Sequence, residues 1–106
     1  MDLSAIDQEV LLASVALHPN AYGVSIADHI ERRTGNQRSI AGIYTAIDRL
    51  EKKGYLKSRL GESTAARGGK RKLYVTITAP GQSTLRQSLQ AIDSLRRGLP
   101  WKEAMA

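Results

Sequence analysis

The side chains best suited to touching another molecule lie on one side of the segment from Ser39 to Lys53. Four apolar residues recur there at intervals of 3, 4 and 3, which form a single stripe on a helix of 3.6 residues per turn. They are Ile40, Ile43, Ile47 and Leu50. The opposite side carries Ala41, Gly42, Thr45, Arg49 and Lys52. Its N-terminal half is small and polar, which suits a helix that enters the major groove of DNA and reaches base edges.

The sequence has a start signal before this predicted helix and a stop signal after it. The hydroxyl of Ser39 can accept from a free backbone N–H and cap the first turn. Gly54 can adopt the left-handed conformation that ends many helices. Tyr44 and Asp48 flank the small polar face. The alternative is an ordinary amphipathic helix with a solvated outer face, and the flanking sequence favours the DNA-contacting interpretation.

A second cluster of chemically useful residues lies in the basic loop Gly61–Arg71. Apolar residues alternate with polar ones on both sides of it, which predicts antiparallel strands over about Leu56–Leu60 and Lys72–Ile77. Gly68 and Gly69 permit a tight reversal. The hairpin is therefore a wing, and Arg67, Lys70 and Arg71 at its tip are candidate contacts to DNA. The alternative is a disordered basic loop.

Positive charge is concentrated in the middle of the sequence. The chain has a net charge of +6 and a pI near 10.0. The segment from Arg32 to Lys72 contains twelve Lys and Arg residues and three acidic residues, which gives it a net charge of +9. The rest of the chain has a net charge of −3. This distribution indicates a localised surface for a polyanion. A basic surface that is merely solvated is the alternative.

No residue pattern points to catalysis, a metal or a cofactor. The chain has no cysteine, so disulfides and thiolate chemistry are excluded. Its two histidines, His18 and His29, lie on different predicted elements without ligand-like spacing. The serines lack a G-x-S-x-G context, and Gly-Gly-Lys in the wing lacks the spacing of a P-loop. Asp48 and Glu51 lie among basic residues, as in a solvated ion-pair face. We therefore expect a protein that is not an enzyme.

Two further helices are predicted before Ser39. Ser4 with Asp7 forms a capping pattern for a helix over about Ala5–Leu17, whose apolar residues cover nearly its whole circumference. Such a helix must be buried on more than one side. A second helix is predicted from an N-cap at Asn20 to Thr34. Together with the Ser39 helix and a short turn containing Gly35, it predicts a helix-turn-helix.

The last predicted helix extends from about Ala79 to Arg97, capped by Thr78. This helix of about 19 residues is about 28 Å long, and this small domain can hardly cover all of its apolar side, which carries Leu85, Leu89, Ile92 and Leu95. We therefore expect a homodimer. The predicted interface consists of Leu11, Val15, Leu85, Leu89, Ile92 and Leu95.

The sequence length of 106 residues predicts a single domain. We divide it into a winged-helix region over about 5–77, a dimerisation helix over about 78–98 and a tail over 99–106. The fold class is mainly α (α+β), in the order α-α-α-β-β-α. No long apolar run and no signal-like N-terminus are present, so we expect a soluble, cytoplasmic protein without a membrane partner.

In this order of elements the chain resembles the PadR-like family of bacterial transcriptional regulators. The resemblance lies in LLASVALHPNAYGVSIADHIERRTG at positions 11–35 and SIAGIYTAIDRLEKKGYLKSRLGE at 39–62. It continues in RGGKRKLYVTITAPG at 67–81, which resembles the family's basic hairpin and T-x-x-G exit. The likeness covers about residues 6–98. The Tyr22-Gly23 pair, the run beginning Ile43-Tyr44 and the exit at Thr78 are specific in combination.

The resemblance implies a homodimeric regulator, a repressor in our interpretation, that binds double-stranded DNA at a pseudo-palindromic operator. It implies DNA contacts from Ser39, Ala41, Gly42, Tyr44 and Thr45, and from Arg67, Lys70 and Arg71. Arg49 joins this set from its place on the outer face of the helix. The resemblance also implies a small-molecule effector, which is aromatic for some short members. Trp101 lies beyond Gly98 and Pro100, where we expect it to pack the tail onto the body.

Two other functions fit the same elements. A winged helix can serve only as a protein-interaction module, although such domains usually lack a basic wing. A MarR-like regulator is the other alternative, although proteins of that type are longer. Retention on heparin or bulk DNA at low salt, with loss at high salt, discriminates a DNA-binding protein from an interaction module.

Overall fold

A computed structural model describes residues 3–62 and 71–105 of the chain. Within these ranges the order is α-α-α-β-β-α followed by one short helix, so the predicted fold class is confirmed. The helices are α1 (Ala5–Leu17), α2 (Gly23–Thr34), α3 (Ile40–Lys52), α4 (Ala79–Arg96) and α5 (Trp101–Ala104). The strands are β1 (Leu56–Leu60) and β2 (Leu73–Ile77).

The core lies where α1, α2 and α3 pack together against the base of the β-hairpin. Its fully buried side chains are Val10, Leu11, Ile26, Ile43, Leu50, Leu56 and Val75. Leu85, near the start of α4, closes this core at 5% exposure. Each helix contributes apolar residues from one side, as the 3.6-residue periodicity predicts.

Helix caps and stops behave as the sequence predicts at Ser4, Gly54 and Thr78, and at Ser39 as described below. Ser4 Oγ accepts from the backbone N–H of Asp7, and the Asp7 carboxylate accepts from the N–H of Ser4, which forms a complete capping box. Thr78 Oγ1 accepts from the N–H of Gly81 at 3.0 Å at the start of α4. After α3, Gly54 has a φ of 82°, so the left-handed stop is confirmed.

The second helix begins two residues later than predicted. Its N-cap is Tyr22 rather than Asn20, because Ser25 Oγ accepts from the Tyr22 N–H at 2.9 Å. Residues 21–22 are extended instead. The N–H of Val75 donates to the carbonyl of Ala21 at 2.9 Å, and Tyr22 forms an isolated bridge to Tyr74. This segment therefore acts as a partial third strand beside β2.

One residue assigned to the apolar stripe of α3 is exposed. Ile40 is 41% exposed, and Ala46 takes its place on the buried side of α3. A stripe of residues 43, 46, 47 and 50 leaves Ile40 about 70° to one side at 100° per residue.

The hairpin has the predicted antiparallel register. Leu56 faces Ile77 at its base, and Leu60 faces Leu73 at the outer end of the described strands. The second strand begins at Leu73 rather than Lys72. One end of the hairpin therefore packs on the core, and the other end leads into the basic loop Gly61–Arg71.

The C-terminal part of α4 extends past the core, and the molecule measures 61 × 28 × 20 Å. Trp101 lies in the tail beyond this helix at 66% exposure, so the expectation that it packs onto the body is wrong. The short helix α5 in this tail was not predicted. In the part of the chain that is described, no helix has the length and apolar character needed to cross a membrane.

Candidate nucleic-acid interface

The outer face of α3 is open at its N-terminal half. Ser39, Ala41, Tyr44 and Thr45 are exposed, and Gly42 is half-buried. Ser39 Oγ accepts from the N–H of Gly42 at 3.0 Å, which fixes the first turn. Thr45 Oγ1 donates to the carbonyl of Ala41 at 2.9 Å, so its lone pairs and its methyl group remain available outside the helix. This face can accept from a donor on a base edge or contact a thymine methyl group.

Tyr44 holds α3 close to the start of α2. A Cβ atom built on Gly23 would lie 2.6 Å from Tyr44 Cζ, so the tyrosine ring occupies the space that any larger residue would need. Tyr44 nevertheless stays 41% exposed. The ring is therefore fixed at the flank of the small polar face, where a phenol can donate to a phosphate.

Arg49 forms an ion pair within its own chain, and its contact to DNA stays a prediction. Its guanidinium forms an ion pair with Asp7 of α1, whose side chain is 3% exposed. Burial raises the pKa of Asp7, but hydrogen bonds from Arg49 and Ser4 outweigh that effect and hold the pKa below its ordinary value. The pair joins α3 to α1. The spacing within α3 could not show this, because Asp7 lies 42 residues away.

A second carboxylate of α1 fixes the turn that precedes α3. Arg38 donates to Glu9 through Nε at 2.9 Å and through a terminal nitrogen at 2.8 Å, and Asn36 donates to Glu9 at 3.2 Å. The hydrogen bond from Arg38 lowers the pKa of Glu9 against the opposing effect of burial. Two carboxylates on α1 thus set the position of α3, and sequence reasoning did not identify this role.

Aromatic rings support the base of the wing. Tyr22 and Tyr74 pack edge to face with centroids 5.7 Å apart. The Lys72 ammonium lies 4.4 Å from the Tyr22 centroid, and the Arg59 guanidinium lies 4.7 Å from that of Tyr74. These contacts hold two cations at defined positions. The cross-strand pairing of Arg59 with Tyr74 is the signal within the predicted strands that could have located one of them.

Of the three predicted wing residues, only Arg71 lies within the described residues. Its Nε donates to the carbonyl of Gly61 at 2.6 Å, which joins the two sides of the loop at its base. Arg67 and Lys70 lie outside the described residues.

The predicted dimer residues divide into two groups. Val15, Leu89, Ile92 and Leu95 are exposed by 49%, 37%, 58% and 72%. Leu11 is fully buried in the core of its own chain, so its assignment to the dimer surface is wrong. Leu85 is also nearly covered by its own chain and is corrected to a core residue. The all-apolar pattern of α1 cannot separate its core side from its outer side, because both sides carry similar residues.

Three packed helices followed by a β-hairpin, with an open face on the third helix, define a winged helix-turn-helix protein. The family model described as transcriptional regulator PadR-like family matches residues 11–87. The chain therefore belongs to the PadR-like family of transcriptional regulators, which are not enzymes. This membership confirms the resemblance and decides against the MarR-like alternative.

Solved structures share the fold over most of the chain. A transcriptional regulator from Clostridium thermocellum is 28% identical with a TM-score of 0.72, over 86% of this chain and 85% of that one. A PadR family regulator from Clostridium difficile is 24% identical with a TM-score of 0.69, over 85% and 91%. Bacillus subtilis PadR in complex with operator DNA is 19% identical with a TM-score of 0.65, over 92% and 51%. No curated protein sequence matches the chain significantly.

Proposed function

We propose that this chain is a homodimeric, sequence-specific DNA-binding repressor. The observation that carries the proposal is the small, exposed face at the N-terminal half of α3, with Ala41 and Thr45 at its centre. A face without bulky side chains lets the backbone approach base edges closely. Caps and ion pairs to α1 hold this helix in one position, so its contacts are preorganised.

Charge around α3 supports DNA as the partner. Lys57, Arg59 and Lys72 on the hairpin form no ion pair among the described residues, and Arg67, Lys70 and Arg71 add three cations in the wing. Lys52 pairs with Asp48 at 3.0 Å, but that pair is solvent-exposed and is weak enough for a phosphate to replace it. One structural neighbour is a PadR bound to operator DNA.

Apolar surface that one chain leaves uncovered supports the proposed homodimer. Val15 on α1 and Leu89, Ile92 and Leu95 on α4 form a surface that two copies can bury against each other. A two-fold dimer would place two α3 helices about 34 Å apart and favour half-sites about 10 base pairs apart.

Release by a small aromatic effector is the remaining part of the proposal. An open cleft of about 410 Å³ lies between α1 and α2, with an apolar floor that includes Leu12 and Ile30 and with Arg33 at its rim. This volume lies within the range of small-molecule sites. The mixture of an apolar floor and a cation suits an aromatic carboxylate.

Selection of bound fragments from random DNA tests the central proposal. We expect enrichment of a pseudo-palindrome, and competition at one fixed salt concentration should show at least about 10³-fold preference for it over random DNA. A reporter gene downstream of the selected sequence should be silenced by the protein and restored by an active effector. Equal affinity for selected and random DNA would favour the protein-interaction alternative.

A further inference from the structure

The apolar stripe of α4 has a spacing that is the same in both directions. Leu85, Leu89, Ile92, Leu95 and Leu99 are separated by 4, 3, 3 and 4 residues. A two-fold axis at Ile92 would place Leu89 opposite Leu95 of a second copy, and Leu85 at the level of Leu99. Each exposed apolar residue of α4 then lies opposite an apolar residue, and Leu99 approaches the groove that core residue Leu85 helps to line, so the sequence suits an antiparallel pairing with itself.

An apolar groove lies beside the first half of this stripe. It has a volume of about 320 Å³ between α1 and α4, and its lining includes Leu12, Val15, Leu85 and Leu89. Leu12 is 45% exposed and Val15 is 49% exposed. Its residues on α4 lie about 5–15 Å from Ile92 along the helix axis, at 1.5 Å per residue.

The segment that follows α4 provides matching apolar side chains. Leu99, Trp101 and Met105 are exposed by 42%, 66% and 77%. Gly98 has a φ of 68°, which stops the helix and redirects the chain. In the antiparallel pairing, α4 of a second copy ends about 6 Å past the two-fold axis. Its tail therefore begins beside the groove.

The accessible surface of the chain is larger than that of a compact monomer, which leaves enough area for a dimer interface. The accessible surface is 7374 Å². A compact monomer of 11.6 kDa would expose about 5,800 Å², so this chain exposes about 1,500 Å² more. A standard interface buries about 800 Å² per partner, which the excess exceeds.

Charges at the groove and on the tail are also complementary. Arg86 lines the groove and forms no ion pair among the described residues. Glu103 in α5 likewise has no ion-pair partner within the described ranges, whereas Asp93 is shared by Arg96 and Arg97. The unpaired Arg86 at the groove and the unpaired Glu103 on the tail therefore have opposite charges and can pair between two copies.

We propose that the tail of each protomer docks into the α1–α4 groove of the other, with Leu99 and Trp101 inserted and the two-fold axis at Ile92. This inference rests on the homodimer of the proposed function and specifies its register and its exchanged segment. In this arrangement Trp101, which is exposed in its own chain, packs against the groove of a second copy.

Single cysteines test the register, since the native chain contains none. A disulfide requires Cα atoms within about 7 Å, and only a residue at the two-fold axis meets its own copy. Ile92→Cys should therefore give a covalent dimer on oxidation. Leu85→Cys is the matched control: its copies would lie about 21 Å apart along the axis and should not cross-link. A Val15→Cys/Trp101→Cys double variant should cross-link between chains.

Fluorescence tests the docked tail independently, because Trp101 is the only tryptophan. In the dimer, acrylamide should quench it several-fold less than in a denatured control. A dimer by light scattering that is not cross-linked at Ile92, or whose Trp101 is fully quenched, would overturn this arrangement while leaving the homodimer intact. A monomer at micromolar concentration would overturn both the arrangement and the homodimer, and DNA selection would then report separately on DNA binding.

Discussion

Single hydrogen bonds decide what the outer face of α3 offers to DNA. Thr45 donates its hydroxyl hydrogen to Ala41 and so presents an acceptor oxygen and a methyl group. Arg49, one turn further on, is held by an ion pair to buried Asp7, although its own side chain stays 38% exposed. Residues on the same predicted face therefore differ in their contacts: the proposed recognition residue Thr45 bonds only within α3, whereas Arg49 joins α3 to α1.

Substitutions of Thr45 should separate the two contacts it can make. Thr45→Ala should reduce the preference for the selected operator over random DNA by about 1–3 kcal/mol, because neither the hydroxyl nor its methyl group remains. Thr45→Val and Thr45→Ser each keep one of them, so competition binding with both variants shows which group is read. Equal losses on operator and random DNA would remove Thr45 from sequence recognition.

Asp7 should make folding stability depend on acid pH. Its pKa is below the ordinary 3.8 in the folded state, so its contribution is complete above that value and is lost as pH falls through the folded pKa. Asp7→Asn should cost about 2 kcal/mol at neutral pH, since Arg49 is partly solvated, and should flatten the loss of stability below about pH 4. Urea unfolding across this pH range measures both effects.

A surface ion pair provides the matched control for Asp7. Asp28 pairs with Arg32 at 3.2 Å, but both side chains are at least 60% exposed. Asp28→Asn should therefore change stability by less than about 1 kcal/mol. A loss as large as that of Asp7→Asn would show that burial of Asp7 is not the cause.

At the scale of elements, the close packing of α2 against α3 requires a glycine at position 23. Gly23→Ala should destabilise the protein by about 1–3 kcal/mol, because the new methyl group would overlap the ring of Tyr44. Tyr44→Ala removes that ring, so the double variant should recover much of the loss caused by Gly23→Ala. A double-mutant cycle by urea unfolding measures the coupling, and additive losses would contradict direct contact.

The wing should contribute charge rather than sequence recognition. Arg67→Ala/Lys70→Ala should reduce the slope of log affinity against log salt by about 0.9 for each phosphate that the variant no longer neutralises. Arg96→Ala/Arg97→Ala removes the same charge from the far end of α4 and should leave the slope nearly unchanged. Salt titrations on one operator compare the two. An unchanged slope for the wing variant would show that these residues do not bind the DNA backbone.

At the scale of the whole molecule, specific binding should require two subunits. Leu89→Asp would bury an unpaired charge in the interface at a cost of several kcal/mol, so the subunits should separate. Each monomer would hold one half-site, and most specific affinity should disappear while weak, salt-sensitive binding remains. Light scattering and operator titration measure the two steps.

Ser94 offers the control for this substitution, because it lies on the opposite side of α4 and is exposed. Ser94→Asp should leave both the dimer and operator binding intact. If the unmodified protein is a monomer at micromolar concentration and still binds operator, the role assigned to α4 is incorrect.

Periodicity and caps in the sequence determined most of the elements. The stripe Ile43, Ile47 and Leu50 and the cap at Ser39 located α3 to within a residue, since local hydrogen bonds and one-sided burial define a helix. The change to a period of two located both strands in the same way. The exposed face of α3 was predictable for the same reason: it is the side that the stripe does not occupy.

Tertiary structure alone decided which partner each residue meets. Spacing shows the side of a helix on which Arg49 or Leu11 lies, but not that Asp7 binds the first or that the core encloses the second. Ala21 and Tyr22 became strand-like because β2, more than fifty residues later, offers them hydrogen bonds. Trp101 remained exposed because α4 extends beyond the body. These outcomes depend on contacts between distant segments, which a local pattern does not encode.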